Sequence, residues 1–244
     1  MNILEHRVVG RGEHSVLFLN GFRMSYQSWD KVYPFVAERS TVLLMNRRGV
    51  GASPKAKTPQ RGDTVVEDIR GMARWAQVPP PYLLVAHSIG GIYANLYARM
   101  FGSEVSGVVF VDASHPIEIV EQNNIKPPRA LVALNNGLKA IERLFDRYKY
   151  SEDECIHDTV RLIDEAGAFP DIPVTVVTGA KKLPFVPSAA HATHLRYQEE
   201  LLWLARASRH VMCENSSHFP QITESGKVVG VILDALPQVA ANTL

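Results

Sequence analysis

A single serine stands between a strand-like and a helix-like segment in the first half of the chain. The apolar stretch Tyr82–Ala86 precedes it, and the small-residue stretch Ser88–Met100 predicts a helix. The residues two places before and after Ser88 are Ala86 and Gly90, which are small enough for a sharp turn. The pattern A-x-S-x-G is one substitution away from the G-x-S-x-G nucleophile elbow, which raises a serine Oγ above a sheet. We therefore predict a nucleophilic serine; the alternative is an idle serine in an ordinary turn.

A serine nucleophile needs a base, because a free hydroxyl is weakly nucleophilic at neutral pH. Of the nine histidines, His218 is the candidate, since it lies in the polar loop 215–220 after the last predicted strand. A histidine in that loop is predicted to open on the same sheet edge as the serine. His191 and His194 are predicted to be solvated helix residues rather than metal ligands, because no carboxylate or cysteine partner stands at ligand spacing. We predict no metal site and no cofactor.

The predicted acid is Asp112, which ends the strand-like run Gly107–Asp112. A carboxylate there could reach His218, hold its ring in the correct tautomer and stabilise its charged form. The order serine, aspartate, histidine along the chain is one that such triads use. The alternatives are that Asp112 only caps a turn, with Glu199 or Asp171 as the acid.

The loop after the strand-like run Ser15–Leu19 is the candidate for the second half of an oxyanion hole. Such a hole needs backbone N–H groups on a backbone that can approach closely, and Gly21 permits that approach. The predicted donors are the amides of Phe22 and of Ile89, the residue after the serine. A glycine-punctuated turn at 46–53 is predicted to be structural, with its two arginines anchoring loops.

Short apolar runs alternate with longer amphipathic ones, which is typical of a mostly parallel α/β sheet with helices on both faces. The predicted strands are Ser15–Leu19, Thr41–Met45, Tyr82–Ala86, Gly107–Asp112, Pro173–Thr178 and His210–Cys213. The predicted helices around them are Trp29–Glu38, Thr64–Gln77 (opened by a capping box at Thr64–Glu67), Ser88–Met100 and Gly226–Leu236.

The stretch from about 116 to 171 interrupts this alternation. It is helix-like, with Arg129–Tyr148 and Ser151–Ala166 as the best candidates, and it is too long for a plain crossover. We predict one domain over residues 1–244 with a small helical cap inserted at 116–171 over the carboxyl edge of the sheet. The alternative is a pair of surface helices remote from any site.

Composition narrows the classes of protein. The 244 residues are 46% hydrophobic, and 26 basic residues nearly balance 25 acidic ones. This balance predicts neither a nucleic-acid partner nor an anionic membrane surface. No apolar run reaches the length of a membrane span, and the N-terminus lacks a signal-peptide pattern. Cys155 and Cys213 are predicted to be reduced thiols, so the expected location is the cytoplasm; the oligomeric state stays open.

Taken together, these motifs resemble those of the α/β-hydrolase superfamily, over nearly the whole chain. The matching positions are Asn20-Gly21 with Trp29, the turn Arg48–Ser53, the elbow Ala86–Gly90 and His218. Asn20 stands where members commonly carry a histidine. The family's acid often follows the strand here predicted at Pro173–Thr178, yet no carboxylate appears there before Glu199. The resemblance is therefore to the serine-nucleophile branch with the acid after the sixth strand of the family's sheet, the position of Asp112. Haloalkane dehalogenases include a branch with that placement, but their nucleophile is an aspartate.

The resemblance and the residues together imply a serine hydrolase that cleaves an ester, thioester or amide of a small, fairly apolar acyl compound through an acyl-enzyme. Its partner would be that small-molecule substrate. The alternative is a small-molecule binding or sensing protein on a hydrolase scaffold with little turnover. Other reactions of the same triad, such as C–C bond hydrolysis or perhydrolysis, are not distinguished by the sequence.

Overall fold

The computed structural model describes residues 3–123, 142, 143, 145–184 and 186–237. Its centre is a sheet of seven strands in the order β1-β3-β2-β4-β5-β6-β7, and all neighbours are parallel except β1 and β3. The strands are β1 His6–Val9, β2 His14–Leu19, β3 Ser40–Met45, β4 Tyr82–His87, β5 Val105–Val111, β6 Val174–Gly179 and β7 Ser208–Cys213. The predicted α/β class is confirmed. The sequence analysis missed β1, because this four-residue edge strand is only half-buried and carries no apolar run.

Helices cover both faces of the sheet, as predicted. In the described residues they are α1 Tyr33–Val36, α2 Gly62–Trp75, α3 Gly90–Met100, α4 Pro116–Asn123, α5 Ser151–Glu154, α6 Ile156–Glu165, α7 Ser188–Glu200, α8 Pro220–Thr223 and α9 Ser225–Ala235. Alternate strand residues feed two cores. Leu17 and Leu84 pack with α2, α3 and α6 on one face, while Val16 and Val85 pack with α1 and α9 on the other. Of these helices, none is long and apolar enough to cross a bilayer.

Two predicted helices differ in the structure. The capping box at Thr64–Glu67 is wrong, since α2 begins at Gly62 and its first N–H donates to the Thr159 hydroxyl of α6 at 2.9 Å. The long helix predicted over Trp29–Glu38 is instead a 3₁₀ turn, Tyr26–Trp29, followed by the single-turn α1. Pro34 explains the break, because proline is tolerated only in the first turn of a helix.

The segment between β5 and β6 carries α4, α5 and α6 in its described part. The predicted helix Ser151–Ala166 is present, divided into α5 and α6, and α6 packs against α2 and α3. The predicted helix Arg129–Tyr148 lies largely outside the described residues, so the cap at 116–171 remains a prediction.

Candidate active site

Ser88 lies on a sharp turn between β4 and α3. Its φ of +53° is in the left-handed region, which non-glycine residues seldom adopt. The turn is tight, because a Cβ on Gly90 would lie 2.5 Å from the carbonyl oxygen of Leu19 on the neighbouring strand. This is the geometry of a nucleophile elbow, and it lifts the serine out of the end of the sheet.

Ser88, His218 and Asp112 meet at the carboxyl edge of the sheet. The His218 Nε2 lies 3.1 Å from the Ser88 Oγ, and its Nδ1 lies 2.8 Å from Asp112 Oδ2. Among the described side chains, neither Glu199 nor Asp171 lies within ion-pair distance of His218. Counted along this chain, the aspartate follows the fifth strand, β5. The structure thus brings together the three residues that the sequence analysis selected.

The backbone and a hydrogen bond hold the Asp112 carboxylate in one orientation. Its residue has a φ of +43°, its side chain is almost fully buried, and its Oδ1 accepts a hydrogen bond of 2.8 Å from the backbone N–H of Gly179 at the end of β6. Burial opposes ionisation, but the close contact with His194 and the hydrogen bond from His218 outweigh it and lower the pKa of Asp112 well below its usual range. The carboxylate is therefore charged at neutral pH.

His87 holds the backbone of His218, the candidate base, through a hydrogen bond. It is fully buried, and its Nε2–H donates to the backbone carbonyl of His218 at 2.7 Å. Burial, reinforced by the nearby His218 ring, lowers the pKa of His87 to about 4, so its imidazole is neutral at pH 7. The Nδ1 of the same ring faces Gly21, where a Cβ would lie only 2.9 Å away. Gly21 therefore lets the loop after β2 close onto His87.

Arg47 fixes the orientation of that loop. Its guanidinium donates to the carbonyl oxygens of Asn20 at 2.8 Å and Gly21 at 3.0 Å. In a trans peptide the N–H points opposite to the C=O, so the Phe22 N–H is turned away from Arg47. The Asn20 side chain bonds to the Trp29 indole and the Met45 carbonyl, and is thus used to hold the loop. Phe22, Gly21 and Ile89 remain proposed oxyanion residues.

The sequence analysis was wrong about His194. Its side chain is 19% exposed, its Nδ1 lies 2.7 Å from Glu118 Oε1, and its Nε2 lies 3.3 Å from Asp112 Oδ2. Burial lowers the pKa of His194, but its close contacts with the two carboxylates prevail and raise it to about 10. Glu118 was missed as well, since it lies 76 residues before its partner and no local pattern joins them. The only sequence signal that could have pointed to this site was the pair of histidines at 191 and 194.

A cavity of about 280 Å³ opens beside Ser88 and His218. Its apolar wall comes from Ile119 of α4, Ala190 of α7, and the loop residues Leu183 and Val186. Its polar lining includes Ser114, Glu118, Lys181, His191 and His194. The site is thus more polar than the sequence suggested. In the described part of the chain, no group of three or more His, Cys, Asp or Glu side chains could hold a metal ion.

Comparisons with known proteins agree with this architecture. The family model of the α/β hydrolase fold matches residues 14–133. An uncharacterized protein of Schizosaccharomyces pombe is 39% identical over 34% of this chain and 15% of its own length. A pimeloyl-acyl-carrier-protein methyl ester esterase of Klebsiella pneumoniae is 28% identical over 47% of this chain and 42% of its own length. The crystal structure of the enol-lactonase from Burkholderia xenovorans superposes with a TM-score of 0.63 at 16% identity, covering 95% of both chains.

The sheet order, the elbow and these matches define the class. The chain has the α/β-hydrolase fold, and the model of that family matches about half of its residues. It spans less than half the length of the curated relatives named above.

Proposed function

We propose that the protein is a serine hydrolase that cleaves an ester, thioester or amide of a small acyl compound, with a simple ester as the first substrate to test. The observation that carries the proposal is the hydrogen-bonded chain from Ser88 Oγ through His218 to Asp112, with distances of 3.1 and 2.8 Å. The named esterase and lactonase relatives support ester chemistry on this fold. No cofactor is part of the proposal.

In the proposed mechanism, Ser88 Oγ attacks the acyl carbonyl as His218 Nε2 takes its proton. The amides of Phe22 and Ile89 donate hydrogen bonds to the oxyanion of the tetrahedral intermediate. His218 then returns the proton to the leaving group, and an acyl-enzyme on Ser88 remains. Water activated by His218 attacks this ester and releases the acid. Asp112 orients the ring and stabilises its charged form throughout.

The cavity favours a small substrate. About 280 Å³ accommodates a short acyl group against the apolar wall of Ile119, Leu183, Val186 and Ala190. The polar part of the cavity lining is suited to a leaving group or acyl tail that carries hydrogen-bonding groups. We therefore expect activity on p-nitrophenyl esters to fall from acetate and butyrate to octanoate.

The decisive experiment compares wild type with Ser88→Ala on p-nitrophenyl acetate. Loss of a triad serine costs about 10⁶ in kcat in a well-studied protease, so activity should fall to the background rate. Asp112→Asn should lower kcat by something on the order of 10⁴, because the ring of His218 would then be held in the wrong tautomer. The matched control is Ser208→Ala, an exposed serine at the opposite, amino end of β7, which should match wild type.

A fluorophosphonate probe separates this proposal from a binding protein on the same scaffold. An activated Ser88 reacts with the probe, and Ser88→Ala does not. Folded wild type that neither labels nor turns over any ester would reject the hydrolase and favour the binding protein.

A further inference from the structure

One oxygen of the proposed catalytic acid faces two imidazoles. Asp112 Oδ2 lies 2.8 Å from His218 Nδ1 and 3.3 Å from His194 Nε2. The first contact is a hydrogen bond. The second lacks hydrogen-bond alignment, because His194 Nε2 makes no hydrogen bond in the described structure. It is therefore a contact between charges rather than a directed bond.

The protonation state of His194 follows from its surroundings. Both ring nitrogens face carboxylates, Glu118 at 2.7 Å and Asp112 at 3.3 Å, and both carboxylate side chains are only 3% exposed. A neutral ring would point one nitrogen lone pair at a carboxylate oxygen. An imidazolium satisfies both contacts and neutralises one of two buried negative charges, so the charged form is favoured.

We infer that His194 is a positioning residue of the triad: held by Glu118, its charged ring shares the Asp112 carboxylate with His218 and thereby limits how strongly that carboxylate favours a protonated His218. The inference rests on the proposed function, since it assumes that His218 is the catalytic base. Its chemical consequence is that His218 stays unprotonated, and so able to accept the serine proton, at a lower pH than a triad with an unshared acid would allow.

The other charges around the pair fit this assignment. His87 faces His218 from β4 and is neutral. His191, one turn before His194 on α7, has its Nε2 3.1 Å from the backbone carbonyl of Ala180, away from the carboxylates. Of the other described titratable groups, Lys181 after β6 lines the same cavity, His115 before α4 lies near Glu118, and Arg196 on α7 pairs with Glu200.

The test measures kcat/KM for p-nitrophenyl acetate as a function of pH and compares the position of the acidic limb between variants. His194→Gln removes the positive charge but keeps a hydrogen-bonding side chain, so the limb should move to higher pH by about 1 unit. Glu118→Gln removes the neutralising carboxylate and leaves the cation at 194, so the limb should stay in place or move to lower pH. His191→Gln is the matched control on the same helix and should leave the limb where it is, whatever its effect on the rate.

The expected result is a limb that moves to higher pH in His194→Gln and does not do so in Glu118→Gln. A His194→Gln limb that coincides with wild type overturns the inference. So does an equal upward shift in both variants, which would indicate general loosening of the site. If Ser88→Ala retains the wild-type rate, the proposed function itself fails. If Ser88→Ala is inactive while all limbs coincide, only the role of His194 fails.

Discussion

At the scale of single residues, two members of the proposed triad stand on unusual backbone. Ser88 and Asp112 follow neighbouring parallel strands, and both have positive φ, +53° and +43°. Such conformations cost roughly 1–3 kcal/mol each and persist only where the surroundings enforce them. Backbone hydrogen bonds enforce them here: the Asp112 N–H donates to the carbonyl oxygen of Val177, and the Ser88 carbonyl oxygen accepts from the Ser114 N–H. The two strand ends hold each other in place.

Gly90 is the residue that lets this turn close. Gly90→Ala would place a Cβ 2.5 Å from the backbone oxygen of Leu19, so the elbow would have to open. We expect a loss of about 1–3 kcal/mol in the free energy of unfolding and a lower rate of fluorophosphonate labelling. The matched control is Gly230→Ala in α9, which meets no atom within 4 Å and should raise stability by about 0.5–1 kcal/mol. Urea unfolding of both variants checks the pair, and equal stabilities would contradict it.

At the scale of elements, a buried ion pair joins the segment between β5 and β6 to the oxyanion loop. Arg47 donates to both carboxylate oxygens of Glu152 on α5, at 2.9 and 3.0 Å, while its other N–H groups hold the loop after β2. Burial lowers the pKa of Arg47, but the Glu152 charge outweighs it and raises the pKa overall. The position of α5 is thus linked to the loop that would stabilise the oxyanion.

Glu152→Gln should break this link. Removal of one partner of a buried pair costs about 3–5 kcal/mol, because it leaves the other charge unpaired. We expect a lower thermal midpoint and a fall in kcat at little change in KM, since the loop rather than the cavity wall is released. Arg161→Gln, which removes an exposed i,i+3 pair with Asp158 on α6, is the control and should change stability by less than about 0.5 kcal/mol. A Glu152→Gln protein with wild-type stability and kcat would show that the two elements are independent.

The sequence predicted most of the elements but not all of their contacts. Six strands and the meeting of Ser88, Asp112 and His218 could be predicted, because apolar runs and parallel strand ends follow local rules. His194 and Glu118 could not, because their pairing depends on how α7 packs on α4. The start of α2 was misplaced for the same reason, since its cap is the hydroxyl of Thr159 on another helix. Local patterns define elements; contacts between distant elements need the coordinates.

At the scale of the whole molecule, two histidines with shifted pKa values, one buried and one partly buried, make stability depend on pH in opposite directions. His87, with a folded pKa of about 4 against an ordinary 6.5, is destabilising below pH 6.5, because the unfolded chain then takes up a proton that the folded one refuses. His194, with a folded pKa of about 10, contributes stability that is complete below pH 6.5 and is lost as the pH rises towards 10. Together, the two effects give the stability a maximum between the low-pH range in which His87 is destabilising and the high-pH range in which the contribution of His194 is lost.

We therefore expect the thermal midpoint of wild type to peak near pH 6–7. Between pH 7 and 9 the contribution of His194 should fall by ~1.4 kcal/mol per pH unit, which corresponds to about 3 °C per unit for a chain of this size. His194→Gln should show a shallower decline over that window, and His191→Gln should follow wild type. Parallel curves for wild type and His194→Gln would contradict the assignment of a charged ring. Scanning fluorimetry across buffers of equal ionic strength provides the measurement.

The end of β6 has a consequence for redesign of this protein. The Gly179 N–H donates a hydrogen bond to the Asp112 carboxylate, and any Cβ at residue 179 would lie only 1.8 Å from the backbone oxygen of Ser217. The strand tip therefore abuts the loop that carries His218, with no space for a side chain. A carboxylate cannot be transplanted to residue 179 by one substitution, because the histidine loop would first have to be rebuilt around it. In place of a side chain, the tip of β6 supplies the backbone N–H that holds the Asp112 carboxylate.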